Sequence, residues 1–158
     1  MLGFYFQARL DLRASLGLEE ILGNMMSNVR WELDYEVGDQ TLDRQHRHLV
    51  KMINRFMDLS GEMPDAEKIS DLLNALGEHI SEHFEYEEHF MREMAYPGLE
   101  KHRKKHREFR KRYVELCMDV IEGSAGMQKQ LISYLTEWWQ QHVCKEDMAY
   151  ANFKKAQE

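Results

Sequence analysis

Between His79 and Met91 the chain reads HISEHFEYEEHFM, three histidines and four glutamates interleaved with Phe84, Phe90 and Met91. Imidazole nitrogens and carboxylate oxygens are ligands for first-row transition metals. A helix gains nothing by turning such groups inward unless something inside needs them, because each unpartnered buried polar group costs about 1–3 kcal/mol. His83 and Glu87 lie four apart and so share one helix face. His102 and His106 repeat that spacing, and the series His102, His106, Phe109, Tyr113, Leu116, Val120 alternates steps of four and three. The imidazoles therefore continue an apolar stripe. His46 stands three before Leu49 and seven before Ile53, and His142 follows Leu135 by seven, Trp138 by four and Trp139 by three.

Five imidazoles thus point toward one axis from four segments of the chain. A single inward histidine is ordinarily a core residue hydrogen-bonded to a carbonyl. Five together with carboxylates call for a cation, which satisfies all of them at once. A structural zinc site would use four ligands, usually including cysteine, and neither Cys117 nor Cys144 aligns with the histidine stripe. Five imidazoles and two carboxylates exceed the needs of one ion. They suit two octahedral first-row ions with bridging carboxylates and an open position, and iron is the natural choice where that position handles oxygen.

The elements that must position these ligands follow from periodicity and punctuation. Four helical segments are predicted, at about 39–60, 65–95, 99–122 and 125–152. The first opens at Asp39 after Gly38, with Leu42, Leu49, Ile53, Phe56 and Met57 on one face, and closes at Ser60-Gly61. The second starts at Pro64-Asp65, carries Ile69, Leu72, Leu73, Leu76, Ile80, Phe84 and Met91, and ends at Pro97-Gly98. The third runs to Gly123, and Ser124 is the expected N-cap of the fourth. Short connections between long helices predict an all-α, antiparallel up-down-up-down four-helix bundle with the metal site in its core. Sustained strand-like alternation, internal repeats and low-complexity tracts are lacking in the sequence.

Residues 1–28 fall outside this pattern and are read as an N-terminal extension to a bundle domain of residues 29–158. They could hold a short amphipathic helix from about Leu10 to Leu22, and Met25 or Met26 could equally be the start of translation.

The chain has 158 residues, 43% hydrophobic and 31% charged, enough for one domain with one core. Two prolines allow long helices. A net charge of -7 argues against a nucleic-acid partner, which would require a basic excess. The basic run KHRKKHREFRKR is assigned to a solvated helix face, since His102, His106 and Phe109 within it turn inward. Two cysteines make no disulfide framework and read as reduced thiols. No apolar run reaches membrane-spanning length, and Arg9, Asp11 and Arg13 follow MLGFYF too closely for a signal peptide. The expectation is a cytoplasmic protein with neither nucleic acid nor membrane as partner.

Four stretches in chain order carry a resemblance: Trp31, Val37-Gly38 and DRQH at Asp43–His46; HFEYEEHFM at His83–Met91; HRKKH at His102–His106; and WWQQHVCKED at Trp138–Asp147. Together they resemble the hemerythrin family over about residues 31–153. A member of that family, myohemerythrin, is a known example of the bundle fold. The resemblance implies a cofactor of two non-heme iron ions, bridged by carboxylates and an oxo or hydroxo group. It places His102, His106 and His142 on one iron, His46 and His83 on the other, and Glu87 and Asp147 across both. Asp147 rests on the family gap alone: helical spacing from His142 favours Glu146, at four, over Asp147, at five. Asp147 is expected to be the ligand at a forgiving helix end, and Glu146 to be exposed.

The resemblance further implies O2, or another small diatomic, as the partner, held in a pocket lined by Leu49, Phe84, Trp138, Trp139 and Val143. Family members usually carry an aliphatic residue where this chain has Trp139, which makes that indole a candidate gate. His48 and His89 are expected at the surface, and His79 either behind the site or as a cap upon it. Reversible oxygen binding, for storage, transport or sensing, is the leading reading, and the protein is then not an enzyme. The alternatives are a di-iron enzyme acting on peroxide or nitric oxide, and a sensory module signalling to a partner.

Overall fold

The computed structural model describes residues 29–59 and 66–157. After a 3-10 turn at Leu33–Tyr35 come α1 (Gln40–Leu59), α2 (Ala66–Glu93), α3 (Leu99–Ile121) and α4 (Met127–Trp138). A π-helical segment (Trp139–Glu146) and α5 (Asp147–Lys155) then continue α4. The fourth rod of the bundle is therefore α4, the π segment and α5 taken together. Consecutive rods pack on one another, and α1 closes the ring against α4. Among the described residues there is no strand, and no helix is long and apolar enough to cross a membrane.

Local chemistry sets the helix ends. Asp39 caps α1, its Oδ1 accepting from the backbone N–H groups of Thr41 and Leu42 at 3.0 Å each. The chain leaves α2 through Ala95 at φ 53°, with Ala95 N–H donating to the Arg92 carbonyl and Tyr96 N–H to that of Met91. The same pair of bonds ends α3 around Gly123 at φ 73°, where glycine bears the left-handed conformation without strain. The expected cap at Ser124 is not found: α4 begins at Met127 after Gly126, and Ser124 gives its N–H to the Asp119 carbonyl and its own carbonyl to the Met127 N–H. The breaks expected at Ser60-Gly61 and Pro64-Asp65, the helix at Leu10–Leu22 and the alternative start at Met25 or Met26 lie outside the described residues.

Apolar packing forms two unequal layers. The larger holds Leu49, Ile53 and Phe56 of α1, Leu72 to Phe84 of α2, Phe109 to Leu116 of α3, and Leu131 to Val143 of the fourth rod. The smaller gathers Val37, Leu42, Met91, Tyr150 and Ala151. On every rod the histidines and inward carboxylates fall between these layers: His46 follows Leu42, Glu87 precedes Met91, His102 and His106 precede Phe109, and Asp147 precedes Tyr150. The result is a polar belt sealed above and below by hydrocarbon.

Candidate metal centre

Eight polar or charged residues are buried in the described chain, and seven are His46, His83, Glu87, His102, His106, His142 and Asp147. The eighth, Asp43, is spent on structure, its Oδ1 accepting the Val37 N–H at 2.7 Å. All seven ligand candidates thus share one buried belt.

Within the belt the donor atoms form two groups: Glu87, His102, His106 and His142, and His46, His83, Glu87 and Asp147, with the atoms of each group within 4.8 Å of one another. Glu87 belongs to both. Its Oε2 lies 3.1 Å from His102 Nε2 and 3.0 Å from His106 Nε2. Asp147 also reaches across, with Oδ2 3.3 Å from His46 Nε2 and Oδ1 3.3 Å from His142 Nε2.

Asp147 gains its place through the π segment. A π turn closes each hydrogen bond one residue later than an α turn, so residues five apart come to face the same side. The Asp147 N–H accordingly donates to the His142 carbonyl. This corrects the expectation of a forgiving helix end, because α5 runs on to Lys155. Nor is Glu146 exposed. It is half-buried, accepts from His142 Nδ1 at 3.2 Å, and is bonded to Lys105. His142 therefore touches Asp147 with its inner nitrogen and Glu146 with its outer one.

The outer nitrogens decide where the protons sit. His106 Nδ1 donates to Glu88 Oε1 at 2.9 Å, and His83 Nδ1 donates to Gln45 Oε1 at 3.0 Å. With Nδ1 protonated, each neutral imidazole presents a bare Nε2 to the centre. His106 Nε2 and His142 Nε2 stand 3.0 Å apart, a repulsive pair of lone pairs unless a proton or a cation lies between them. In the metal-free chain protons serve. Burial opposes charge on His142, but Asp147, Glu146 and Glu87 outweigh it and hold the imidazolium up to about 9. Burial likewise pushes Glu87 up, yet the imidazoles of His102, His106 and His142 gathered around it keep it well below the usual carboxylate range.

Elsewhere in the belt hydrogen bonding is incomplete. Both His46 nitrogens, His83 Nε2 and both Asp147 carboxylate oxygens are buried without a hydrogen-bond partner. Each such atom costs about 1–3 kcal/mol if left bare, and a divalent first-row cation would satisfy one His46 nitrogen, His83 Nε2 and the Asp147 carboxylate together. Neutral imidazoles with outward N–H groups anchored, and carboxylates shared between two groups, are the donor set such ions take. The residues fit.

Around the belt, Phe84 stacks on His106 at 3.7 Å between ring centroids and 2° between planes, and Trp138 stacks on His142 at 3.9 Å and 17°. Both pocket candidates therefore cover the three-histidine group. Trp139 lies on the other side, 6.3 Å from His46, 5.7 Å from Trp31 and 6.0 Å from Tyr35. Leu49 and Val143 are buried in the large apolar layer. His48 and His89 are exposed, as expected, whereas His79 is partly buried and donates from Nε2 to the Gln45 carbonyl at 3.0 Å.

Residues not anticipated are the ones that hold the ligands. Glu88 anchors His106 and is itself bonded to Arg103 at 3.0 Å. Gln45 anchors His83. Tyr150, fully buried, donates to Glu87 Oε1 at 2.7 Å. Burial and the neighbouring Glu87 raise its hydroxyl well above the ordinary tyrosine range, so it stays a donor. A signal existed only for Glu146, four residues from His142; the other contacts cross between helices.

The family profile described as the hemerythrin HHE cation binding domain matches residues 37–153. A bacteriohemerythrin of Stenotrophomonas maltophilia is 28% identical over 131 residues, covering 83% of this chain and 84% of the relative. A bacteriohemerythrin of Pseudomonas aeruginosa is 28% identical over 127 residues, 80% of this chain and 82% of its own length. A myohemerythrin of Theromyzon tessulatum is 30% identical over 122 residues, 77% and 89% of the two chains. Given a helical bundle with one buried belt of histidine and carboxylate, and a profile spanning nearly all of it, the chain belongs to the hemerythrin HHE cation-binding family.

Proposed function

We propose that this protein binds O2 reversibly at a non-heme di-iron centre, for storage, transport or sensing, and is not an enzyme. The observation that carries the reading is the sharing of Glu87 between two four-residue groups, with Asp147 reaching both sets of imidazoles. His102, His106 and His142 would hold one iron, His46 and His83 the other, and Glu87 and Asp147 both. The two-imidazole side has one ligand fewer, which leaves room for a small molecule. Iron held by these residues would supply the electrons for O2 binding.

The rest falls to the chain's own side chains. Glu88, Glu146 and Gln45 fix ring orientation and tautomer, so that each Nε2 lone pair is presented without rearrangement. Tyr150 steadies the shared carboxylate. Trp139 and Trp31 pack beside the His46 ring, backed by Tyr35, and keep water from it, which protects a reduced oxygen species from loss.

The test is the absorption spectrum of the anaerobically reduced, iron-loaded protein before and after admission of air. A stable oxygenated band that disappears under vacuum is expected. Immediate oxidation with sustained turnover of peroxide or nitric oxide would replace the carrier reading with an enzymatic one.

A further inference from the structure

Outside the belt, one pair of histidines has the same arrangement as the candidate ligands within it. His48 of α1 and His79 of α2 lie 4.9 Å apart between ring centroids, with planes at 60°. Neighbouring imidazoles within the belt are 4.4 to 4.9 Å apart: His102–His142 at 4.4 Å, His46–His83 at 4.7 Å, and His106–His142 at 4.9 Å. The surface pair thus already has the separation of rings converging on one ion.

The proton on His79 is placed as well. Its Nε2 faces the Gln45 backbone carbonyl at 3.0 Å, and a carbonyl can only accept, so Nε2 carries the hydrogen and Nδ1 is left as a bare lone pair. An imidazole whose far N–H is pinned to a carbonyl is the usual form of a metal ligand. His48 is exposed and free to turn toward an ion. Glu82, three residues beyond His79 on α2 and electrostatically coupled to it, adds negative charge beside the pair.

The pair also adjoins the belt. The His79 ring is parallel to that of His83 at 6.3 Å and 6°. Gln45 grips both histidines, His79 through its carbonyl and His83 through its side chain. An ion held at the pair would stand one helical turn outside the two-imidazole group. Two imidazoles with the remaining positions left to water suit a borderline divalent cation such as ferrous, zinc or cupric ion.

We propose that His48 and His79 form a surface site for a divalent first-row cation, from which ferrous ion passes to the His46–His83 side of the belt. The second half rests on the di-iron reading; the first does not. The experiment has two arms and uses His48→Ala, since His48 is exposed and is no part of the belt. Zinc chloride titrated into the iron-loaded protein should show a site that weakens by more than about tenfold in the variant. Ferrous ion added anaerobically to the metal-free full chain should enter the belt several-fold more slowly in the variant, with the final iron content unchanged. Equal zinc binding by wild type and variant overturns the site. Loss of the zinc site with unchanged uptake rate overturns its role in delivery. Should neither protein retain iron, the di-iron reading fails and delivery with it, while the zinc arm still decides whether the surface site exists.

Discussion

The two sides of the belt are built differently. On the side of His102, His106 and His142, two of the imidazoles end outwardly on a carboxylate, Glu88 or Glu146, and each carboxylate ends on a cation, Arg103 or Lys105. These rings are held whether or not a metal is present. On the side of His46 and His83 the only outward anchor among the described residues is the neutral amide of Gln45, while both His46 nitrogens and both Asp147 oxygens lack hydrogen-bond partners there. A cation there would satisfy one His46 nitrogen, His83 Nε2 and the Asp147 carboxylate. The first side is a preformed cradle; the second is completed by what it binds. The anchored side should therefore take a metal first and more tightly than the less constrained side.

The largest effect should come from removing what the sides share. Glu87→Ala should take away most of the bound iron, because both groups lose a ligand at once and Tyr150 loses its partner. Retention of full iron content would mean the sides are independent.

Next, Asp147→Ala and Glu146→Ala separate inner from outer contacts on His142. The Asp147 variant should lose the iron of the His46–His83 side and the oxo-to-iron charge-transfer bands. The Glu146 variant should keep both, with metal affinity lower by about 10–100-fold. Metal analysis alongside the visible spectrum checks this, and the reverse pattern would contradict the assignment made through the π segment. Glu88→Ala should resemble the Glu146 variant, since Glu88 anchors His106.

Trp139→Leu acts only on the side that its indole covers. The variant should bind azide to the oxidised protein faster and hold the oxygenated form for a shorter time. Its stability should fall by about 1–2 kcal/mol on denaturant unfolding as the contacts with Trp31 and Tyr35 are lost. Unchanged azide kinetics would make Trp139 a packing residue and no gate. The smallest effect is expected from deleting residues 1–28. Folding and iron uptake should be preserved, because the first contacts of the described chain, Val29 with Asn54 and Trp31 with Trp139, lie beyond the cut.

Most of this organisation was readable from spacing. The stripe of His102, His106, Phe109, Tyr113 and Leu116 is buried along its length, as its three-four rhythm implies, with only Val120 at its end partly open. Asp147 was not readable from helical spacing. That rhythm assumes an α turn throughout, and eight residues of the fourth rod are wound as a π helix. The outward anchors were illegible for another reason: His106–Glu88 and His83–Gln45 join different helices, and a single sequence carries no record of which surfaces meet. Ser124 misled because its hydroxyl suits a cap, whereas the left-handed Gly126 begins the helix.

The central claim is that one shared carboxylate belt holds two ions. The most direct test is metal analysis of the full chain after iron-replete expression, combined with magnetic susceptibility of the oxidised form. Two irons per chain, antiferromagnetically coupled through their common bridges, are predicted from the two groups that share Glu87. One metal ion per chain, zinc in place of iron, or two irons without magnetic coupling would contradict it.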